Sequence, residues 1–113
     1  MVAAMDSVIS LKQAINSSSG KNHIGVFHCP SAVYVDLNLL RTLPKRELRS
    51  GLCEIAKNCL AIRPKSLRPF QDLLTKGDLT APSTLRWLLE ESLMAKMQVM
   101  GKDAREKSAG LIL

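Results

Sequence analysis

Residues 39–62 read LLRTLPKRELRSGLCEIAKNCLAI, and the fold turns on how this stretch is arranged. Leu48, Leu52, Ile55 and Cys59 recur at intervals of four, three and four, which places them on one face of a 3.6-residue helix. Pro44 suits a first turn, because its missing N–H would have no helical partner there. Glu47 lies close to the positive end of the helix dipole. The spacing predicts a helix over 44–61.

On the C-terminal side, RPKSLRP at 63–69 interrupts the pattern, with Pro64 and Pro69 bracketing a turn or short linker. A short helix is expected over 67–75, closed by KGD with Gly77 as its cap. Pro82 and Ser83 then open a second strong helix over 83–101, where Leu85, Leu89, Leu93, Met97 and Met100 repeat at helical intervals. On the N-terminal side, SAVYVDLN at 31–38 reads as one buried strand, since Val33, Tyr34 and Val35 favour a pleated surface. Residues 1–31 show Ser-rich and Gly-containing stretches without a sustained period, as expected of loops around short elements. No internal repeat is evident. The apolar end SAGLIL at 108–113 is an association liability and suggests a piece whose natural neighbour is missing.

A chain of 113 residues forms one domain with a modest core. Its formal charge of +6 favours anionic partners. The basic residues are scattered, however, and Phe27, Tyr34, Phe70 and Trp87 are the only aromatics, so no nucleic-acid partner is expected. Cys29, Cys53 and Cys59 form neither a close pair nor an even set, which suits reduced thiols in a cytoplasmic protein. Cys53 and Cys59 stand in apolar company and are expected to be buried. MVAAMDSV lacks the pattern of a signal peptide, and no window reaches the ~18 apolar residues of a membrane span, so no membrane partner is expected.

Some residues carry more specific chemistry. Glu54 and Lys57, three apart, share a helix face with Glu47, Ser50 and Gly51, where small residues would let another element approach. Either a solvent-facing ion pair or a functional pair fits this spacing. Lys96 belongs near the apolar face of the second strong helix, where it either snorkels to water or enters a polar cavity. His23 and His28, five apart, lack the geometry of a helical metal pair. In SGKNHIGVFHCP, residues 19–30, Lys21 is followed by Asn22, so the phosphate-loop pattern fails. From the residues alone, the chain is a mostly helical domain with an anion-facing cluster.

The ordered set DSVISLKQAIN (6–16), GKNHIGVFHCP (20–30), RTLPKREL (41–48), GLCEIAKN (51–58) and AKMQVMGKDAREK (95–107) resembles the central part of 3-dehydroquinate synthase and its sugar-phosphate cyclase relatives. Their pattern runs DSxxGGKxxxN, GKNxIGxFxxP, TLPxRExxxG, GLAExxKxG and KxxVVxxDExE. The resemblance covers nearly the whole chain in order. It implies a mostly α fragment with a short α/β N-terminal part: 1–43 ending an α/β nucleotide-binding domain, and 44–113 beginning an incomplete helical substrate- and metal-binding domain. The family's glycine-rich nucleotide fingerprint and its two zinc-binding histidines are expected outside these residues.

The activity implied is that of an NAD- and zinc-dependent, carbocycle-forming phosphate lyase acting on a phosphorylated sugar or sugar acid, with a homodimer as the family's habit. Glu54 resembles the carboxylate zinc ligand, whereas His23 and His28 match no ligand. Lys57 and Lys96 match catalytic cations. Asp6, Lys12, Lys21 and Asn22 match substrate contacts, and Leu39, Thr42 and Leu43 resemble the segment beside NAD. SLKQAIN is closer to cyclases of the 2-deoxy-scyllo-inosose or 2-epi-5-epi-valiolone type than to a standard dehydroquinate synthase. Asn58-Cys59 departs from the usual aromatic-glycine or histidine-glycine pair after Lys57. The competing reading is a non-catalytic truncated remnant that binds anions or associates through unfinished surfaces.

Overall fold

The computed structural model describes residues 1–108 and 110. The expected association of the apolar tail at 111–113 lies outside the described residues. Helix α1, Val2–Met5, is followed by a 3₁₀ turn at Ser7–Ile9 and a hairpin of β1, Lys12–Ser17, and β2, Gly20–Phe27. An irregular segment leads to a 3₁₀ stretch, Leu37–Thr42. Three longer helices follow: α2, Lys45–Ala61; α3, Leu67–Lys76; and α4, Pro82–Met100. No helix among the described residues is long and apolar enough to cross a membrane.

The expected helices form for the expected reasons. Pro44 stands directly before α2, and its carbonyl accepts the N–H groups of Glu47 at 2.9 Å and Leu48 at 3.1 Å, which begins the helical ladder. Leu52, Ile55 and Cys59 are buried on one face, with Leu48 packed beside them. Pro64 makes the break in a 3₁₀ turn, Pro64–Ser66, while Pro69 lies inside the first turn of α3, where it sacrifices no helical bond. Gly77 caps α3 by donating to the Leu73 carbonyl at 2.9 Å, in an extended rather than a left-handed conformation. The core gathers Met1, Met5, Leu52, Ile55, Cys59, Phe70, Leu88 and Leu89, so α1 is clamped between α2 and α4. Gly51 permits this, because a β-carbon there would stand 2.8 Å from the Met1 side chain.

Several expectations need correction. The segment SAVYVDLN is not a strand: 31–36 has no ladder partner, and Tyr34 is 93% exposed. A β-branched run becomes a strand only where a neighbour supplies hydrogen bonds and a covered face. The one sheet among the described residues is instead the antiparallel hairpin, pairing Lys12 with Phe27, Gln13 with Val26, Ala14 with Gly25 and Ile15 with Ile24. The N-terminal part therefore shows no parallel strands among the described residues, although helix predominates overall as expected.

Cys59 is buried but Cys53 is exposed, since six residues turn a helix by about 240° and carry the two thiols apart. All three thiols are free. On α4 the buried row runs through Leu85, Leu88, Leu89, Ser92, Ala95, Lys96 and Val99, while Met97 is 66% exposed and Leu93 and Met100 only partly covered. This helix is apolar on several sides. Polar contacts from Ser92 and Lys96 to α1 and the residue after it help orient it.

Candidate functional site

The polar side of the α1–α4 contact opens toward the hairpin. Asp6, the residue ending α1, meets Lys96 of α4 at 2.5 Å. Lys96 is 5% exposed, so the cation enters a polar cluster rather than snorkelling out. Its ammonium also lies 3.4 Å from Glu106, which takes a 2.8 Å bond from Lys12 Nζ at the start of β1 and a 3.2 Å bond from Ser10 Oγ. Two cations and two carboxylates drawn from four places in the chain thus converge. They border a cavity of about 500 Å³ whose other walls include Asn22, His23, Gly25 and Phe27 of the hairpin.

The hairpin wall is thin at Ala14 and Gly25. A β-carbon on Gly25 would fall 2.5 Å from the Gln13 carbonyl and 2.7 Å from Ala14 Cβ, so glycine is needed for this pairing. Gln13 Nε2 fastens the strand to the preceding turn through the Ser10 carbonyl at 2.6 Å. Asn22 adopts a left-handed conformation, φ 57°, which asparagine tolerates better than most residues, and its N–H is held by Asn16 Oδ1 at 3.0 Å.

Glu106 was not singled out from the sequence, although it occupies the final glutamate of the KxxVVxxDExE pattern. Its placement depends on the loop after α4. Asp103 accepts N–H bonds from Lys107 at 3.1 Å, Ser108 at 2.6 Å and Gly110 at 2.9 Å, and a hydroxyl bond from Ser108 at 3.1 Å. These bonds hold the Asp103 carboxyl far below the usual range, those from Gly110, Lys107 and Ser108 contributing most. The loop bends at Glu106, φ 52°, and a β-carbon on Gly110 would lie 2.8 Å from Glu106 Cβ. Burial pushes the Glu106 carboxyl up. The Lys12 hydrogen bond, the charges of Lys96 and Lys12 and the Ser10 hydroxyl outweigh it, and the net direction is down.

Glu54 and Lys57 form their expected pair on α2 at 2.5 Å, both about one-third exposed. With Asp6, Asn58, Ser92 and Lys96 they also line a small cavity at the α2–α4 contact. Among the described residues no three His, Cys, Asp or Glu side chains converge as a metal site. A zinc centre needs about three protein ligands, and Glu54 offers one, so the residues present do not by themselves form the implied metal centre.

The structure thus brings Asp6, Lys12, Asn22 and Lys96 to the larger cavity, with Glu54 and Lys57 adjoining through Asp6 and Lys96. Lys21 is exposed on β2 and does not line the cavity. Leu39 is 72% exposed, Thr42 bonds its own turn through the Leu39 carbonyl at 3.3 Å, and Leu43 packs on the core. These three stand apart from the side chains that line either cavity.

Residues 1–50 match the family profile described as 3-dehydroquinate synthase N-terminal. Over 113 residues the chain is 49% identical to 2-deoxy-scyllo-inosose synthase of Streptomyces paromomycinus, covering all of this chain and 29% of that protein. With the synthase of Streptomyces ribosidificus the identity is 50%, again over all of this chain and 29% of the relative. A crystal structure of 2-deoxy-scyllo-inosose synthase complexed with carbaglucose-6-phosphate, NAD+ and Co2+ superposes with a TM-score of 0.84 at 37% identity, covering 98% of this chain and 30% of that one. A second crystal structure of such a synthase gives a TM-score of 0.80 at the same identity and coverage. The chain therefore spans less than a third of the length of these relatives.

Proposed function

We propose that the chain corresponds along its length to one section of a sugar-phosphate cyclase of the 3-dehydroquinate synthase type and forms one wall of the site where such an enzyme holds a phosphorylated sugar. The observation that carries this reading is the convergence of Lys12, Lys96, Asp6 and Glu106 on one cavity. A sugar phosphate is an anion rich in hydroxyls, and such a set offers cations for its charge and carboxylates for its hydroxyls. The relatives favour the 2-deoxy-scyllo-inosose branch over the valiolone branch.

In this reading Lys96 and Lys57 are the catalytic cations, while Asp6, Lys12, Lys21 and Asn22 orient the substrate. Glu54 contributes one ligand to a divalent metal, zinc in the first instance, whose remaining ligands come from outside these residues. Leu39, Thr42 and Leu43 belong to the side facing NAD. Residues 1–43 would close a nucleotide-binding domain and 44–113 begin a helical one. Because Lys96 is buried beside Asp6, its charge is held in place and only weakly screened, which suits fixing an anion rather than merely attracting it. NAD supplies the hydride chemistry when bound, and this chain's residues supply position and charge.

Calorimetric titration of the chain with carbaglucose-6-phosphate, with and without NAD and zinc or cobalt, tests the assignment. Saturable binding that disappears in Lys12→Met supports the substrate wall. A folded chain that binds none of these ligands favours the non-catalytic remnant.

A further inference from the structure

At the α2–α4 contact, Asn58, which the proposed reaction does not use, borders residues that it does use. The small cavity there measures about 10 Å³, room for one water, and is lined by Asp6, Glu54, Lys57, Asn58, Ser92 and Lys96. Asn58 is 7% exposed. Its Nδ2 donates to Ser92 Oγ at 3.2 Å, and Ser92 Oγ donates in turn to the Met5 carbonyl at 3.4 Å. That chain engages the amide nitrogen and leaves Asn58 Oδ1 as a buried acceptor without a protein partner. Across the cavity, Lys96 Nζ donates to Asp6 and lies 3.4 Å from a Glu106 carboxylate oxygen.

We propose that one buried water occupies this cavity, accepting from Lys96 Nζ and donating to Asn58 Oδ1, with the Glu54 carboxylate available as its second acceptor. Asn58 is then a positioning residue for Lys96: through the water it adds a second hydrogen-bonded acceptor to the one Asp6 supplies, which fixes the direction of the cation while leaving an N–H for other partners. A metal ion is the poorer occupant, because two ammonium groups, those of Lys57 and Lys96, form part of the wall. A water satisfies both the donor and the acceptors with two to four bonds. Asn58 stands where the 3-dehydroquinate synthase pattern has an aromatic or histidine residue. The bridge stands on this geometry and not on the proposed reaction, and its test uses neither ligand nor turnover.

The test is a high-resolution crystal structure of the full chain from crystals soaked in a rubidium salt. The expected result is one ordered peak within hydrogen-bond reach of both Asn58 Oδ1 and Lys96 Nζ, without anomalous signal, and its loss in Asn58→Leu. An anomalous peak, an empty cavity, or an amide turned so that Nδ2 faces inward overturns the assignment; the wild-type map decides these even if the variant does not fold. For the positioning role, the Lys96 side-chain ¹⁵N resonance is expected to move in Asn58→Leu while that of Lys12, outside this cavity, stays. Movement of both or of neither overturns that role.

Discussion

Lys96 shows why one residue in an apolar row can matter more than its neighbours. Replacing it with methionine keeps the stem but leaves Asp6 and Glu106 facing each other without their shared cation. With Asp6 40% exposed, solvent softens the loss, and the expected destabilisation is about 1–3 kcal/mol, read from urea unfolding. Arg86→Ala, which removes an exposed pair with Glu90 on the same helix, should leave the midpoint nearly unchanged. A second residue-scale effect is set by Glu91. The hydrogen bond from Arg63, helped by Ser66 and opposed by burial, lowers its carboxyl below the ordinary 4.5. A carboxylate with a depressed folded-state pKa contributes stability above its unfolded value and loses it as pH falls through the folded one. The wild-type melting temperature should therefore drop as pH falls below about 4.5, and Glu91→Gln should flatten that part of the curve.

At the scale of elements, the loop of residues 103–110 acts as a small clamp for Glu106. Asp103→Ala removes four hydrogen bonds at once, so Glu106 should leave Lys12 and Lys96 and titrate nearer to an ordinary glutamate. Following the Glu106 carboxyl by ¹³C NMR checks this: an upward shift in its midpoint is expected, and an unchanged midpoint would mean that Glu106 is held without the clamp. The same loop shows what the sequence conceals. Helix α2 was legible because its apolar period and its buried face coincide at Leu52, Ile55 and Cys59. The partners Lys12 and Glu106 lie 94 residues apart, and their meeting depends on a turn fastened by Asp103 backbone contacts that no periodicity records. The hairpin was hidden for a different reason: Ile15, Ile24 and Val26 are all more than half exposed, so no alternation of covered and uncovered residues marks the strands. In 31–36 the β-branched letters are present but the neighbouring strand is not, which inverts the error.

For the molecule as a whole, these differences imply two levels of stability. The helices α2, α3 and α4 share a buried core with α1, whereas the hairpin has almost no covered apolar surface. It is tied to the body chiefly by Lys12 to Glu106 and by Gln13 to the Ser7 and Ser10 carbonyls. Elements with few buried contacts open locally without global unfolding. Native-state hydrogen exchange should accordingly show weak protection for the ladder amides of β1 and β2, and strong protection at Ile55 and Leu88, whose side chains are fully buried. Since Lys12 is 47% exposed, added salt should screen its bond to Glu106 and widen the gap between the two groups of amides. Equal protection across hairpin and helices would show a single cooperative unit. A ligand that holds β1 and β2 against Glu106 should raise their protection selectively, and exchange measured with carbaglucose-6-phosphate would reveal it.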